Sequence, residues 1–308
     1  MKLIRGHYNA GHVLRPSVVT IGNFDGVHRG HQALIAAARE RADALKLPLS
    51  VLTFEPTPRE VFAPASAPPR VTTLRTKLRD LSRYGVDQVL VQRFDARFAA
   101  TTAEAFVTDL LCGDLGAKAV VVGDDFHFGK NRVGDLKLLR AMGITHGFTA
   151  EALGTVKLDG QRFSSTALRQ ALGNAELDKA EALLGRPYAV MGRVSKGLQL
   201  GRTLDMPTAN LPIKRPLALR HGVYCVTLTR GDAVFPGVAN YGVRPTLGGT
   251  PALIEVHCLA APGDLYGAVV DVAFMKALRD EQRFGSLDAL KAQMAVDRDA
   301  ARQYFSYP

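Results

Sequence analysis

Ile21-Gly22-Asn23-Phe24-Asp25-Gly26-Val27-His28-Arg29-Gly30-His31 directly follows the apolar residues Val18, Val19 and Ile21 and directly precedes a helical pattern. An apolar strand, a glycine-punctuated turn and a helix start together form a place to hold phosphate. The first N–H groups of a helix point outward without intrahelical partners, and the helix dipole favours an anion there. Gly22, Gly26 and Gly30 let the backbone turn sharply and approach a ligand closely. His28 and His31 are three residues apart, so on a first helical turn they share a face. Two imidazoles aimed at a polyphosphate can donate to the charge that develops as a phosphate bond breaks. Two plainer readings stand beside this one. A His-x-x-His pair can ligate metal, although no Cys or Glu nearby completes a ligand set. The histidines can also simply cap and pack the helix.

Outward from this turn, the first 184 residues alternate strand and helix signals. Val18–Phe24 reads as a strand and Gln32–Leu45 as a helix, with Leu34, Ile35, Ala38, Ala42 and Leu45 on its apolar face. Leu49–Phe54 is a second strand, followed by a proline-rich loop too irregular for either state. Thr73–Tyr84 reads as helix, Gln88–Phe94 as strand, Ala103–Leu111 as helix and Ala119–Gly123 as a short buried strand. This rhythm predicts an α/β unit with a Rossmann-like parallel sheet covered on both faces. Ligands bind such sheets at the carboxyl ends of the strands. Gly22–His31 and Gly123–Gly129 both fall at such ends.

After Leu184 the rhythm changes. Tyr188–Val194, Val223–Leu228, Ala233–Ala239, Leu253–Cys258 and Ala268–Phe274 are short strand-like runs between Gly, Pro and Asp turns. They predict a small antiparallel β-barrel domain. Ser286–Tyr304 follows as a C-terminal amphipathic helix with Ser286 as its N-cap. Gly185-Arg186-Pro187 ends the preceding helix, so the expected domains are residues 1–184 and 185–308. A length of 308 residues fits two cores.

The formal charge is +10, and it divides equally between 1–184 and 185–308 with no basic tail or Lys/Arg run. A diffuse excess attracts small polyanions as readily as nucleic acid. A nucleic-acid or flavin-binding regulator is therefore the non-enzymatic rival, and the scattered Lys/Arg pattern argues against it. Cys112, Cys225 and Cys258 are odd in number and far apart, which points to a reducing, cytoplasmic compartment rather than a disulfide framework. No leader-like apolar segment and no membrane-length run is present, so no membrane partner is expected. Oligomeric state is left open between monomer and weak oligomer.

Two further segments extend the first motif. Gly123-Asp124-Asp125-Phe126-His127-Phe128-Gly129 ends a strand with acidic and aromatic side chains. Phe126 can stack a flat ring and Asp125 can accept from ring or ribose donors, although a buried Phe pair at a strand exit is the plainer account. Ser164-Ser165-Thr166 opens a helix with Arg169 one turn later, a set of hydroxyls, helix N–H groups and a guanidinium fork suited to polyphosphate. An ordinary Ser N-cap is the alternative. In order, these three segments resemble the nucleotidyltransferases related to class I aminoacyl-tRNA synthetases, and specifically the bacterial FAD synthetase module. That resemblance implies AMP transfer from ATP to FMN with release of pyrophosphate. It implies that His28, His31 and Arg169 stabilise the transferring phosphates. Gly22, Asn23, Phe24, Asp25, Gly30, Asp125, Phe126, Ser164, Ser165 and Thr166 would bind ATP and FMN. His127 departs from the arginine common in the family.

The second half has its own constellation. Gly201-Arg202-Thr203-Leu204-Asp205-Met206-Pro207-Thr208-Ala209-Asn210 combines a glycine turn, a Pro-fixed bend and two small polar side chains. Thr208 and Asn210 offer hard oxygens suited to Mg²⁺ or phosphate, although such a turn is ordinary in isolation. Pro236–Thr246, with Asn240, precedes the strand that carries Glu255 between Ile254 and Val256. Glu255 therefore faces the opposite side from them and can take a proton from a hydroxyl, or else form a cross-strand salt bridge. With Asp264-Leu265-Tyr266-Gly267 and the stretch around Arg279, this series resembles the riboflavin kinase module. The resemblance implies that Thr208 and Asn210 bind Mg²⁺ and ATP phosphates and that Glu255 is general base on the ribityl 5′-hydroxyl. Gly201, Arg202, Pro207 and Asn240 would bind ATP and flavin, and Arg279 with the final helix would close the flavin pocket. Asp205 and Ala260 depart from the family, which has Gly and an acid at those places.

Both resemblances, in this order, are those of the bacterial bifunctional riboflavin kinase/FAD synthetase family. The expected substrates are ATP, riboflavin and FMN, with Mg²⁺ in both steps. The rival within enzymes is an FMN adenylyltransferase whose kinase half is impaired.

Overall fold

The computed structural model describes residues 1–155, 157–158, 161–196, 207–242 and 252–307. Contacts divide the chain into two compact units, Met1–Pro68 with Lys77–Ser164, and Pro69–Thr76 with Ser165–Pro308.

The first unit is built on strands β1 (Lys2–Arg5), β2 (Ser17–Ile21), β3 (Leu49–Phe54), β4 (Gln88–Gln92), β5 (Ala117–Gly123) and β6 (Thr149–Leu153). They lie in the order β1-β4-β3-β2-β5-β6, and every neighbouring pair is parallel. All five residues of β2 and all five of β4 are buried, as a parallel sheet covered on both faces requires. β3 lies to one side of β2 and β5 to the other, so the order reverses at β2. The crevice outside the carboxyl end of such a switch point is where doubly wound sheets take ligands. The turn Gly22–His28 leaves β2 at that end, and Gly123–Gly129 leaves β5 beside it.

Helix Arg29–Leu45 follows the turn and buries Leu34, Ile35, Ala38 and Ala42 against the sheet. It begins three residues before the expected Gln32, because the side chain of His28 itself caps it. The proline-rich stretch is not all loop. Thr57 and Glu60 form a reciprocal capping box that starts helix Pro58–Phe62, with Pro58 where its missing N–H costs nothing. The expected helix Ala103–Leu111 is helical throughout, α-helical over Ala103–Ala105 and π-helical over Phe106–Asp114. Strand β1 and helix Leu136–His146 were not foreseen, and neither was β6, an edge strand whose side chains are only partly buried. A two-residue antiparallel pair, β7 (Lys157–Leu158) and β8 (Gln161–Arg162), ends the unit.

The second unit begins with helices Ser165–Gly173 and Leu177–Leu184 and continues as β9 (Tyr188–Arg193), β10 (Ala209–Ile213), β11 (Gly222–Arg230), β12 (Ala233–Gly242), β13 (Ala252–Cys258) and β14 (Val269–Asp280). These six strands are antiparallel in the order β10-β13-β12-β11-β14-β9. A bridge between Ser195 and Asn210 brings the two ends together into a nearly closed barrel. Burial on β13 alternates strictly, with Ala252, Ile254, Val256 and Cys258 inside. Tyr188, Tyr224 and Phe274 fill the interior, the Phe274 ring lying 5.3 Å from Tyr224 and 5.8 Å from Tyr188. Segment Pro69–Thr76 is tied to this unit through Tyr188 Oη, which donates to Val71 O, and Met191 N, which donates to Thr76 Oγ1. Helix Leu287–Phe305 closes the unit, and Ser286 accepts from Ala289 N as the expected N-cap.

Phe274 is 1% exposed, so Phe274→Ala leaves a cavity among the tyrosines that costs about 3–5 kcal/mol. Urea unfolding of the barrel should shift to a correspondingly lower midpoint. A shift worth under about 1 kcal/mol would mean that the interior collapses around the smaller side chain.

Candidate active sites

The turn after β2 is held by burial. Phe24 and Val27 adopt left-handed backbone angles, with φ of 47° and 42°, and both side chains are fully buried. Phe24 therefore does not face the crevice. Its ring supports that of His31 from 5.2 Å away. His28 and His31 stack with centroids 3.7 Å apart and planes 20° from parallel. His28 Nδ1 accepts from His31 N at 3.3 Å, which leaves the proton of a neutral His28 ring on Nε2. The two rings therefore stand face to face rather than edge to edge. Burial, then the nearby His28 and Lys77 charges, holds the His31 imidazole well below its usual range, and it stays neutral near pH 7. A Cβ on Gly30 would stand 3.2 Å from His28 Nδ1 and 3.3 Å from Phe163 Cβ. Glycine there lets Phe163, and with it Ser164, lie against the histidine turn.

Asn23 is exposed and Asp25 buried, and Thr53 Oγ1 donates to Asn23 O at 3.3 Å. A Cβ on Gly22 would stand 3.2 Å from the Phe24 ring. Asp125 is exposed at the exit of β5, while Phe126 stacks on Phe128 at 5.5 Å. Ser165, Thr166 and Arg169 belong to the helix that opens the second unit, where Arg169 Nε donates to Pro69 O at 2.8 Å.

Beside the β5 exit is a pocket of about 640 Å³ that the sequence reading did not anticipate. Phe54, Phe62, Phe94, Phe98, Phe106, Phe126 and Phe128 line it, half of the chain's 14 phenylalanines. Arg59, His127, Lys130 and Arg132 supply its polar rim. His127 Nδ1 lies 3.1 Å from Asp125 O. The dense scatter of phenylalanines in the first unit was the signal for this pocket. Spacing alone could not show that they converge.

In the barrel, register brings the second constellation together. Asn210 on β10 pairs with Glu255 on β13, and Glu255 pairs with Asn240 on β12. Asn240 then pairs with Val223 on β11, and Val223 with Arg279 on β14. Directly opposed residues share a face, so Asn210, Glu255, Asn240 and Arg279 form one row across the sheet. Asn210 Nδ2 donates to Thr208 O at 3.2 Å, and its Oδ1 is buried with no hydrogen-bond partner. An orphaned hard oxygen of this kind suits a cation or a ligand donor. Arg279 is occupied by the C-terminal helix, with Nε and Nη2 donating to Asp297 at 2.9 and 2.8 Å. Arg279 thus ties strand β14 to that helix.

A pocket of about 620 Å³ adjoins the row, and Asn210 belongs to both. Pro207, Thr208, His257, Ala260, Tyr266, Arg298 and Arg302 also line it. Glu255 and Asn240 are outside its lining, further along the row. Burial lowers the His257 imidazole's affinity for a proton, against the pull of its Nδ1 contact with Pro207 O at 3.1 Å. Burial pushes the Cys258 thiol up to about 12, so it is no nucleophile. Sequence reading missed His257, Arg298 and Arg302, although the i,i+4 arginine spacing on the last helix was a visible signal. Gly201, Arg202 and Asp205 lie outside the described residues.

Two measurements follow from this geometry. Because His31 is protonated less readily folded than unfolded, acid below about pH 6.5 favours the unfolded chain. Stability should fall as pH drops from there, and His31→Gln should flatten that fall in urea titrations from pH 7 to 5. An unchanged slope would show that His31 titrates normally. Asp297→Ala strands the Arg279 guanidinium in a partly buried place and should cost about 3 kcal/mol. Differential scanning calorimetry with no change in the barrel's transition would refute the clasp.

Residues 11–167 match the family model of FAD synthetase, and residues 184–305 match that of riboflavin kinase. A bifunctional riboflavin kinase/FMN adenylyltransferase of Escherichia coli strain K12 is 50% identical over 307 residues, 99% of this chain and 98% of that one. Its namesake from Pseudomonas fluorescens is 49% identical over 303 residues, 98% of this chain and 97% of that one. The one from Haemophilus influenzae is 44% identical over 307 residues, 99% of this chain and 100% of that one. A crystal structure described as a macrolide-efflux protein from Streptococcus pneumoniae matches with TM-score 0.77 at 30% identity, covering 98% of this chain and 99% of that one. Among the described residues of this chain, no helix is long and apolar enough to cross a membrane. The riboflavin kinase match favours two activities over an adenylyltransferase with an impaired second half. By the stacked histidine turn, the Asn210–Glu255–Asn240 row and these matches over nearly its whole length, the chain belongs to the bifunctional riboflavin kinase/FMN adenylyltransferase family.

Proposed function

We propose that the chain phosphorylates riboflavin with ATP in residues 185–308 and then transfers AMP from a second ATP to FMN in residues 1–184. The products are FMN with ADP, then FAD with pyrophosphate. The observation that carries this reading is the register row, because it sets a carboxylate, Glu255, one strand away from Asn210 at the edge of a pocket. In the kinase step Glu255 takes the proton of the ribityl 5′-hydroxyl as that oxygen attacks the γ-phosphorus. Asn240, next on the row, orients the flavin. Pro207, Gly201 and Arg202 bind ATP. Thr208 and Asn210 would hold Mg²⁺, a fit supported by the orphaned Asn210 Oδ1. When bound, the ion neutralises polyphosphate charge.

In the adenylyl step the FMN phosphate attacks the α-phosphorus directly, and no protein nucleophile is needed. The His28 and His31 rings donate to the phosphates as charge shifts toward pyrophosphate. Ser164, Ser165, Thr166 and Arg169 hold the polyphosphate, and Asn23, Asp25 and Asp125 shape the nucleotide and ribose sites. The phenylalanine pocket fits the flat isoalloxazine ring, with Phe126 at its edge. Magnesium serves this step too. We place the enzyme in the cytoplasm, a reading supported by three free thiols, with small molecules rather than nucleic acid or membrane as its partners.

Chromatography of flavins after mixing protein, riboflavin, ATP and Mg²⁺ tests the order: FMN should appear first and FAD follow. Removing the two rings in His28→Ala/His31→Ala should lower FAD formation by at least about 10²-fold and spare FMN formation. Glu255→Gln should slow FMN formation by about 10²–10⁴-fold and leave FAD formation from added FMN intact. Equal loss of both activities in either variant would sink the two-site reading.

A further inference from the structure

The C-terminal helix brings two cations to the barrel's pocket that belong neither to the Pro207–Asn210 turn nor to the register row. Arg298 and Arg302 are four residues apart on helix Leu287–Phe305, so they share a face. Both line the 620 Å³ pocket together with Thr208, Asn210 and His257. The Nε of each is buried without a hydrogen-bond partner. Their ion pairs are long and shared on one exposed carboxylate: Asp299 Oδ1 lies 3.5 Å from Arg298 Nε and 3.9 Å from Arg302 Nη1. Most of their ten donor N–H groups are therefore uncommitted. His257, which faces both, adds no third positive charge near pH 7. Asp264, the acid in the lining, spends one oxygen on Tyr266 N. The remaining wall includes Val194, Ala261, Pro262 and Leu265 and is apolar. Two guanidinium groups in the lining of a pocket that is otherwise largely apolar match a ligand with a flat apolar head and a multiply charged anionic tail.

We propose that Arg298 and Arg302 form a clamp on the polyphosphate of ATP in the kinase step, which makes the last helix part of the nucleotide site. This rests on reading the pocket around Thr208 and Asn210 as the kinase's nucleotide pocket. The clamp binds phosphate that is present before and after transfer, so its loss acts first on nucleotide affinity. Riboflavin, which carries no phosphate, does not sense it.

Steady-state phosphorylation of riboflavin by the full-length Arg298→Ala/Arg302→Ala variant, with ATP and riboflavin varied separately, is the test. The KM for ATP should rise about tenfold or more, as expected for lost charge-assisted hydrogen bonds. The KM for riboflavin should stay within about twofold, which reports an intact barrel, and adenylylation of added FMN should be unchanged. An unaltered KM for ATP, or a rise confined to riboflavin, overturns the clamp. If adenylylation also falls, the Arg298→Lys/Arg302→Lys variant decides. It keeps both charges but loses the fork, so a smaller rise in KM for ATP is expected and no rise overturns the proposal. Asn210→Ala separates the two levels. Unchanged phosphorylation there refutes the pocket's assignment and the clamp with it. Loss of phosphorylation there, beside arginine variants with normal KM for ATP, refutes the clamp alone.

Discussion

Strand β2 is enclosed on both faces, with Ser17, Val18, Val19, Thr20 and Ile21 all buried. A parallel strand so covered has nowhere to present a functional group except at its ends. Its position makes the carboxyl end special, because β3 and β5 flank it on opposite sides and their connecting segments diverge there. The histidine turn fills that opening. Had β2 been an edge strand, the same eleven residues would have met solvent on one side, and the stacked rings would have lost the burial that keeps His31 neutral.

That turn stores backbone cost. Two non-glycine residues with positive φ are expected to cost of order 1–3 kcal/mol each, and at Phe24 and Val27 the cost is borne by side chains that are fully buried. Burying a Phe or Val yields about 1.5–3 kcal/mol, so anchoring and strain are of the same size. The buried side chains thus offset the strain of these left-handed angles. The turn's N–H groups and stacked rings take their positions from that anchoring.

The sequence made the parallel sheet, the barrel and the C-terminal helix legible because each rests on periodicity and punctuation: five-residue apolar strands, alternating Ala252–Cys258, Ser286 before a helical face. What stayed illegible depends on distance between elements. Edge strand β6 lacks a full apolar pattern, since its side chains are exposed or only partly buried. The widened helix Phe106–Asp114 has the same apolar spacing as an ordinary one at its start, and only tertiary packing selects the π form. At the sites, juxtaposition within one contiguous segment could be read, as for the His28 and His31 rings. Phe24 could not, because a ring beside a phosphate-type turn looks the same in sequence whether it faces a ligand or the core. The seven-phenylalanine pocket draws on five separated segments, and Arg298 and Arg302 lie some ninety residues from the Thr208 they join in one pocket.

The two sites are built on different constraints, and they fail differently. The first depends on a backbone path: Gly30 admits Phe163 because it has no Cβ, and a side chain there would push His28 and Phe163 apart without disturbing the sheet. The second depends on register. Side chains along a strand alternate faces, so a one-residue slip of β13 against β10 and β12 would turn Glu255 into the barrel and bring Ile254 and Val256 out. The buried set Ile254, Val256 and Cys258 opposes that slip, since it would expose three apolar side chains at once. β14 skips a residue at Leu278 and again at Met275, because Val223 and Tyr224 pair with Arg279 and Ala277 while Cys225 and Val226 pair with Lys276 and Phe274. Such bulges re-aim side chains without breaking the ladder. Here they leave Phe274 in the core and Arg279 on the outer row, where it meets Asp297. Core packing and side-chain placement are thus one constraint in the barrel: the apolar residues that hold register are the residues that put the Glu255 carboxylate on the outer face.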